Sequence, residues 1–139
     1  MDRHGGINER LASVPLFAEL DRKHLQEISS LTTEVEVAAG KELIHEGEIG
    51  HEFIIVLEGE AEVRVGDQVI AHRGPGEYFG EIALISNRRR TASVTALTPM
   101  RLEVIARPEF QTMLHENPAI ARELLAIAAD RLADSEPGH

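Results

Sequence analysis

Phe79-Gly80-Glu81-Ile82-Ala83-Leu84-Ile85-Ser86-Asn87-Arg88-Arg89-Arg90-Thr91-Ala92-Ser93-Val94 is the stretch on which the reading of this chain turns. It interrupts a series of alternating segments without alternating itself. Glycines precede it at Gly74, Gly76 and Gly80. Residues Glu81 to Ile85 suit one or two helical turns, whose first N–H groups have no carbonyl partners and favour an anion. Gly80 has no Cβ, so a ligand can approach the backbone closely there. Arg90 has the planar fork that clamps a phosphate through two parallel hydrogen bonds. Glu81, when ionised, only accepts hydrogen bonds, so it suits a sugar hydroxyl rather than a phosphate. Glu81 and Arg90 are expected to pair electrostatically. Such a carboxylate beside an arginine matches a ligand with hydroxyl and phosphate on one small ring.

On either side of this stretch the period is two. Thr33, Val35 and Val37 alternate with Glu34 and Glu36, and Leu43 and Ile44 form a short second strand stopped by Glu46-Gly47. Phe53 to Leu57 is a continuous apolar, β-branched run, the pattern of a buried strand. Ala61, Val63 and Val65 alternate with polar residues and turn back at Gly66-Asp67 into Gln68 to His72, a two-residue hairpin. Ala92, Val94 and Ala96 alternate, as do Met100, Leu102 and Val104 after Thr98-Pro99. Short glycine-punctuated strands at this spacing predict an antiparallel β-roll, or jelly roll.

Helices flank the roll. Asn8 to Ser13 has a weak helical pattern, broken at Val14-Pro15-Leu16-Phe17 because Pro15 disfavours helix at Val14. Asp21 is a good N-cap for a helix from about Arg22 to Leu31. Pro108 suits a first helical position, with Phe110, Met113 and Leu114 on one face. Asn117-Pro118 repeats the cap-and-proline start. Ile120, Leu124, Leu125, Ala128 and Leu132 then form an apolar stripe. The expected organisation is a flexible tail at 1–8, one domain at 9–133 and a second tail at 134–139.

The chain has 139 residues, 42% hydrophobic and 27% charged, which suits one soluble domain with a core. No stretch approaches the roughly 20 apolar residues of a membrane span. Met1 to Gly6 is polar and carries no signal-peptide core, so a cytoplasmic location is the default. There are no cysteines, which excludes disulfides and thiolate metal sites. A net charge of -10 argues against general nucleic-acid binding. An anionic ligand needs a local basic exception, and Arg88, Arg89 and Arg90 supply one.

Phe79 to Val94 resembles the phosphate-binding cassette of the cyclic-nucleotide-binding domain family, which includes the catabolite activator protein, the protein kinase A regulatory subunit and cyclic-nucleotide-gated channels. The family pattern runs Phe-Gly-Glu, an apolar residue, Ala-Leu, a short spacer, then an arginine before Ala-Ser-Val-like residues. Val14-Pro15-Leu16-Phe17, Leu20, Gly40, Glu46-Gly47, Phe53 to Leu57 and Gly59 match further landmarks, so the resemblance spans about Leu11 to Leu132. It implies ligand-binding roles for Phe79, Gly80, Glu81, Ile82, Ala83, Arg90, Thr91 and Ala92. Glu81 and the Gly80 backbone hold the ribose 2′-hydroxyl. Arg90 pairs with the cyclic phosphate. N–H groups of Ala83 and of Thr91 or Ala92 complete the phosphate cradle. Val63 and Ala71 line the base pocket. Thr91 leaves cGMP open beside cAMP, since channel relatives with threonine use its hydroxyl on guanine. The family often has proline where Arg89 stands. Arg89 adds to the positive field, and Arg88 and Arg89 are expected to be exposed.

The resemblance further implies a sensor and not an enzyme. The region Arg107 to Asn117 is a hinge, and the last helix is a lid over the base. No cofactor is implied beyond the ligand, cAMP or cGMP. No helix-turn-helix, channel or kinase segment follows Leu132, so the expected partner is an effector in trans or one fused in a longer protein. A homodimer through the last helix is a further option. Two other readings are a degenerate β-roll interaction module and a cupin-like metal protein. The second lacks its His-x-His pair, since His45, His51 and His72 are scattered. No Gly-x-Ser-x-Gly nucleophile motif occurs.

Overall fold

The computed structural model describes residues 9–18, 20–85 and 88–135. It begins with α1 (Glu9–Ala12) and a 3-10 turn (Pro15–Phe17), followed by α2 (Arg22–Leu31). Eight strands follow: β1 (Thr33–Val37), β2 (Glu42–Ile44), β3 (Glu52–Glu58), β4 (Ala61–Val65), β5 (Gln68–Arg73), β6 (Tyr78–Phe79), β7 (Ser93–Ala96) and β8 (Met100–Ala106). The short helix α3 (Glu81–Ile85) lies between β6 and β7, and α4 (Arg107–Glu116) and α5 (Pro118–Ser135) close the chain. The tail expected at 1–8 lies outside the described residues, as do 136–139. Asp134 and Ser135, expected in the second tail, instead belong to the last turn of α5.

The strands form two antiparallel four-stranded sheets, ordered β1-β8-β3-β6 and β2-β7-β4-β5. Their facing sides enclose one apolar layer that includes Ile44, Ile54, Val56, Val63, Phe79, Val94 and Leu102. A second layer fills the space between the first sheet and the helices. It brings Phe53, Ile55, Tyr78 and Ile105 against Leu11, Phe17, Ile28, Phe110, Met113, Ile120 and Leu124. This explains the unbroken apolar run of β3. Phe53 and Ile55 serve the helical layer while Ile54 and Val56 serve the layer between sheets. A strand covered on both faces has no polar side to alternate with. Phe53 centres the helical layer, with its ring 4.9 Å from Phe110 and 5.4 Å from Tyr78.

Most local signals act as expected. The Asp21 carboxylate accepts a hydrogen bond from the His24 N–H at 2.9 Å and caps α2. Val65 pairs with Gln68 across the Gly66-Asp67 turn. Four features differ. The segment read as a break at Val14-Pro15-Leu16-Phe17 is a 3-10 turn that buries Leu16 and Phe17. Strand β6 has only two residues, too few to show a period. Asn117 caps backwards: its side-chain amide donates to the Met113 carbonyl at 2.9 Å, and its backbone carbonyl starts α5. Leu125, expected on the buried stripe of α5, is 53% exposed, while Ile127 packs against the core. The side chain of Leu132 lies outside the described residues.

No described helix is long and apolar enough to cross a membrane.

Candidate functional site

The stretch from β6 through α3 to β7 closes one end of the space between the sheets. Its backbone bends at Gly80, where φ is +95°, a value that favours glycine. That bend brings the Gly80 carbonyl to Arg90. The Arg90 guanidinium donates through Nη1 to Gly80 O at 3.0 Å and through Nη2 to Glu52 O at 2.9 Å. Its backbone is fixed as well, since Arg90 N donates to Glu48 O at 2.7 Å and Gly47 N donates to Arg90 O at 2.9 Å. Gly50 makes room for the side chain. A Cβ there would lie 2.7 Å from Ala83 Cβ and 3.1 Å from Arg90 Cζ. Arg90 is therefore buried and held by scaffold carbonyls. Two of its five N–H donors are used in these bonds. Burial lowers its pKa, while the nearby charge of Glu52 opposes that shift; a guanidinium remains charged regardless. Arg88 and Arg89 are exposed, as expected from the tri-arginine run.

Glu81 opens α3 and is fully buried. Its hydrogen-bonded partner is Arg131 rather than Arg90, whose opposite charge still acts on it through space. Glu81 Oε1 accepts a 2.7 Å hydrogen bond from Arg131 Nη1 on α5. The same Arg131 nitrogen donates to Tyr78 O at 2.9 Å, and the guanidinium carbon lies 4.8 Å from the Tyr78 ring centroid. Arg90 makes no hydrogen bond to Glu81, its fork being held by two backbone carbonyls. Glu81 Oε2 is buried without a hydrogen-bond partner among the described residues. A buried carboxylate oxygen in that state is an acceptor waiting for a donor.

An open cavity of about 610 Å³ joins these groups. All ten residues expected at the site line it: Phe79, Gly80, Glu81, Ile82, Ala83, Arg90, Thr91, Ala92, Val63 and Ala71. Sequence reasoning missed five more, Ile44, Ile70, Arg73, Val94 and Arg131. Two of these had a legible signal. Arg131 lies on the helical stripe of Ile120, Leu124 and Ile127, spaced four, three and four residues apart, so it is a charge on a core face. Arg73 lies two residues beyond Ala71 on β5 and so shares its face. Ile70 gave none. It reaches the cavity because the β4–β5 register shifts between Val63 and Arg64, leaving Ile70 without a partner opposite. The charged lining comprises Arg73, Arg90 and Arg131 against Glu81. A chain of net charge -10 thus has a locally positive cavity.

The sequence profile of the cyclic nucleotide-binding domain matches residues 34–117. The chain belongs to that family. It is 37% identical over 105 residues to a cAMP-dependent protein kinase regulatory subunit of Schizosaccharomyces pombe, covering 75% of this chain and 26% of the relative. It is 34% identical over 121 residues to a cyclic nucleotide-gated potassium channel of Rhizobium etli, covering 87% of this chain and 34% of the channel. Among solved structures, the regulatory domain of Toxoplasma gondii PKA in co-crystals with cAMP superposes with a TM-score of 0.68 at 33% identity, covering 76% of this chain and 42% of that one. The chain therefore spans only about a quarter to a third of the length of these two curated relatives. The fold agrees with the expected β-roll flanked by helices. The matched span takes in the segment that carries Glu81 and Arg90.

Proposed function

We propose that this domain is a cyclic-nucleotide sensor that binds its ligand in the Arg90–Glu81 cavity and transmits occupancy through α5. The observation that carries this is one cavity holding two complementary demands. Arg90 retains N–H donors beside Gly80 and Ala83, and Glu81 retains an unpartnered buried acceptor. A cyclic phosphate meets the first and a ribose 2′-hydroxyl the second. The apolar wall of Val63, Ala71 and Val94 takes the flat base. cAMP is the first ligand to test, since the Toxoplasma gondii structure contains it. Thr91 lines the same cavity and leaves cGMP open.

Signalling follows from where Arg131 sits. The carboxylate that grips the sugar also holds α5, so sugar binding and the position of α5 are energetically linked. The second handle is α4. Arg107 N donates to His51 O at 2.8 Å and Arg107 Nη2 to Gly50 O at 2.6 Å. Gly50 in turn packs on the Arg90 guanidinium. Movement at the phosphate cradle thereby reaches the hinge helix directly. The domain binds and releases its ligand without turning it over. Its output goes to an effector, fused or in trans.

Equilibrium titration with cAMP and 2′-deoxy-cAMP tests the sugar assignment. The wild type should prefer cAMP, and Glu81→Gln should lose most of that preference. Equal binding of the two ligands by the wild type would refute the role of Glu81.

A further inference from the structure

Strands β1 and β2 are both edge strands, one in each sheet. Among the described residues, neither has a backbone hydrogen-bond partner on its free side. An open groove of about 1380 Å³ lies between these two edges and shares no lining residue with the nucleotide cavity. Its floor is apolar. Val35 and Val37 of β1, Leu43 of β2 and Val104 of β8 line it, and each is only partly buried. Folded proteins blunt a free edge with lysine, proline, a bulge or extreme shortness. Strand β2 has three residues and a bulge between Glu42 and Ile44. Strand β1 has none of these devices. Thr33-Glu34-Val35-Glu36-Val37 runs in unbroken register against β8.

The charge around this edge has one sign. With Val35 and Val37 toward the groove, Glu34 and Glu36 take the opposite face of β1. They share one arginine, Arg101, at 3.3 and 3.0 Å, which leaves that face net negative. The groove itself carries Glu42, Glu52 and Glu109 against Lys41.

We infer that β1 is a docking edge for an extended protein segment in which basic and apolar residues alternate. A strand laid beside β1 pairs with its free N–H and carbonyl groups. Successive side chains of that strand point to opposite faces. One set enters the groove beside Val35 and Val37 and favours apolar residues. The other set lies beside Glu34 and Glu36 and favours lysine or arginine. The same polarity disfavours a second copy of β1 as occupant, because its glutamates would meet like charges across the new pair.

The test is an NMR titration of the labelled wild type with an acetylated, amidated peptide of four Lys-Val repeats. Saturable shifts should centre on β1 and the groove, and β1 amides should gain protection from exchange. A peptide of four Lys-Ser repeats has the same charge without the apolar side, and it should bind about tenfold more weakly. Two further Lys-Val peptides, N-methylated on every lysine or on every valine, probe the edge pairing. One of the two should lose about tenfold in affinity and the other keep it, since alternate amides of a strand face opposite edges. Val35→Asn should weaken the Lys-Val peptide about tenfold as well; the peptide series on the wild type stands whether or not that variant folds. Equal binding of the Lys-Ser peptide would reduce the effect to attraction of a polycation by an acidic protein and overturn the docking edge. Shifts centred away from β1, or no saturable binding of the Lys-Val peptide, would overturn it equally.

Discussion

Arg131 on the last helix donates to Glu81 on the cassette helix at 2.7 Å, with Glu81 fully buried and the arginine side chain 19% exposed. One contact thus joins the short helix α3 to the last helix α5. Breaking a buried pair from one side strands a charge, whereas removing both partners need not be costly. Arg131→Met should therefore cost about 3 kcal/mol of stability in denaturant melts. The double variant Arg131→Met/Glu81→Met should recover much of that loss. Additive losses would show that the two side chains are not energetically coupled.

Tyr78 offers a spectroscopic probe. It is the single tyrosine, and the chain has no tryptophan, so its phenolate absorbance is unobscured. Burial pushes its pKa up to about 12, against the usual 10.0. The fold therefore favours the neutral phenol. As pH rises from about 10 to 12 the unfolded chain loses this proton first, so stability contributed by Tyr78 falls across that window. An alkaline absorbance titration of the folded protein should place the ionisation near 12. Ionisation near 10 in the folded state would mean that the ring is solvated. Because Arg131 lies over the ring, its ultraviolet signal should also change when nucleotide binds.

Gly50 tests the cradle by shape alone. A methyl group there meets Ala83 Cβ at 2.7 Å, and neither backbone can yield without moving Arg90 or α3. Gly50→Ala should lose about 1–3 kcal/mol of stability and weaken nucleotide binding, with secondary structure retained by circular dichroism. Unaltered affinity would show that the close packing of Arg90 against this loop is dispensable.

His45 gives a check away from the cavity. Its Nδ1 lies 3.1 Å from the Glu42 carboxylate, and that hydrogen bond raises its pKa above the ordinary 6.5. A raised histidine contributes stability below its unfolded pKa and loses it as pH rises through the folded value. An NMR titration should find His45 above 6.5, and Glu42→Gln should bring it back down. A value that Glu42→Gln leaves in place would assign the shift to other charges.

How far the sequence could be read depended on whether the chemistry was local. Asp21, Gly66-Asp67 and the alternating strands act within a few residues, so α2 and the hairpin could be placed from the chain alone. The ten cavity residues were found because eight lie in the continuous segment Phe79 to Ala92, while Val63 and Ala71 face it across β4 and β5. What was missed is nonlocal. Glu81 and Arg90 looked like a pair because they are close in sequence. The decision lay instead with carbonyls at Gly80 and Glu52, which take the Arg90 fork, and with an arginine fifty residues on. Leu125 was misplaced because it lies one residue, about 100°, around α5 from the buried Leu124 and so falls outside the core face.

The most direct measurement is isothermal titration of cAMP into the folded wild type and into Arg90→Ala, with circular dichroism to confirm that both are folded. Saturable uptake by the wild type is expected, with affinity lower by about 2–5 kcal/mol in the variant, because a buried charge partner of the phosphate is lost. Equal affinity in the two proteins, or no uptake by the wild type of either cAMP or cGMP at about millimolar supply, would contradict a phosphate site at Arg90.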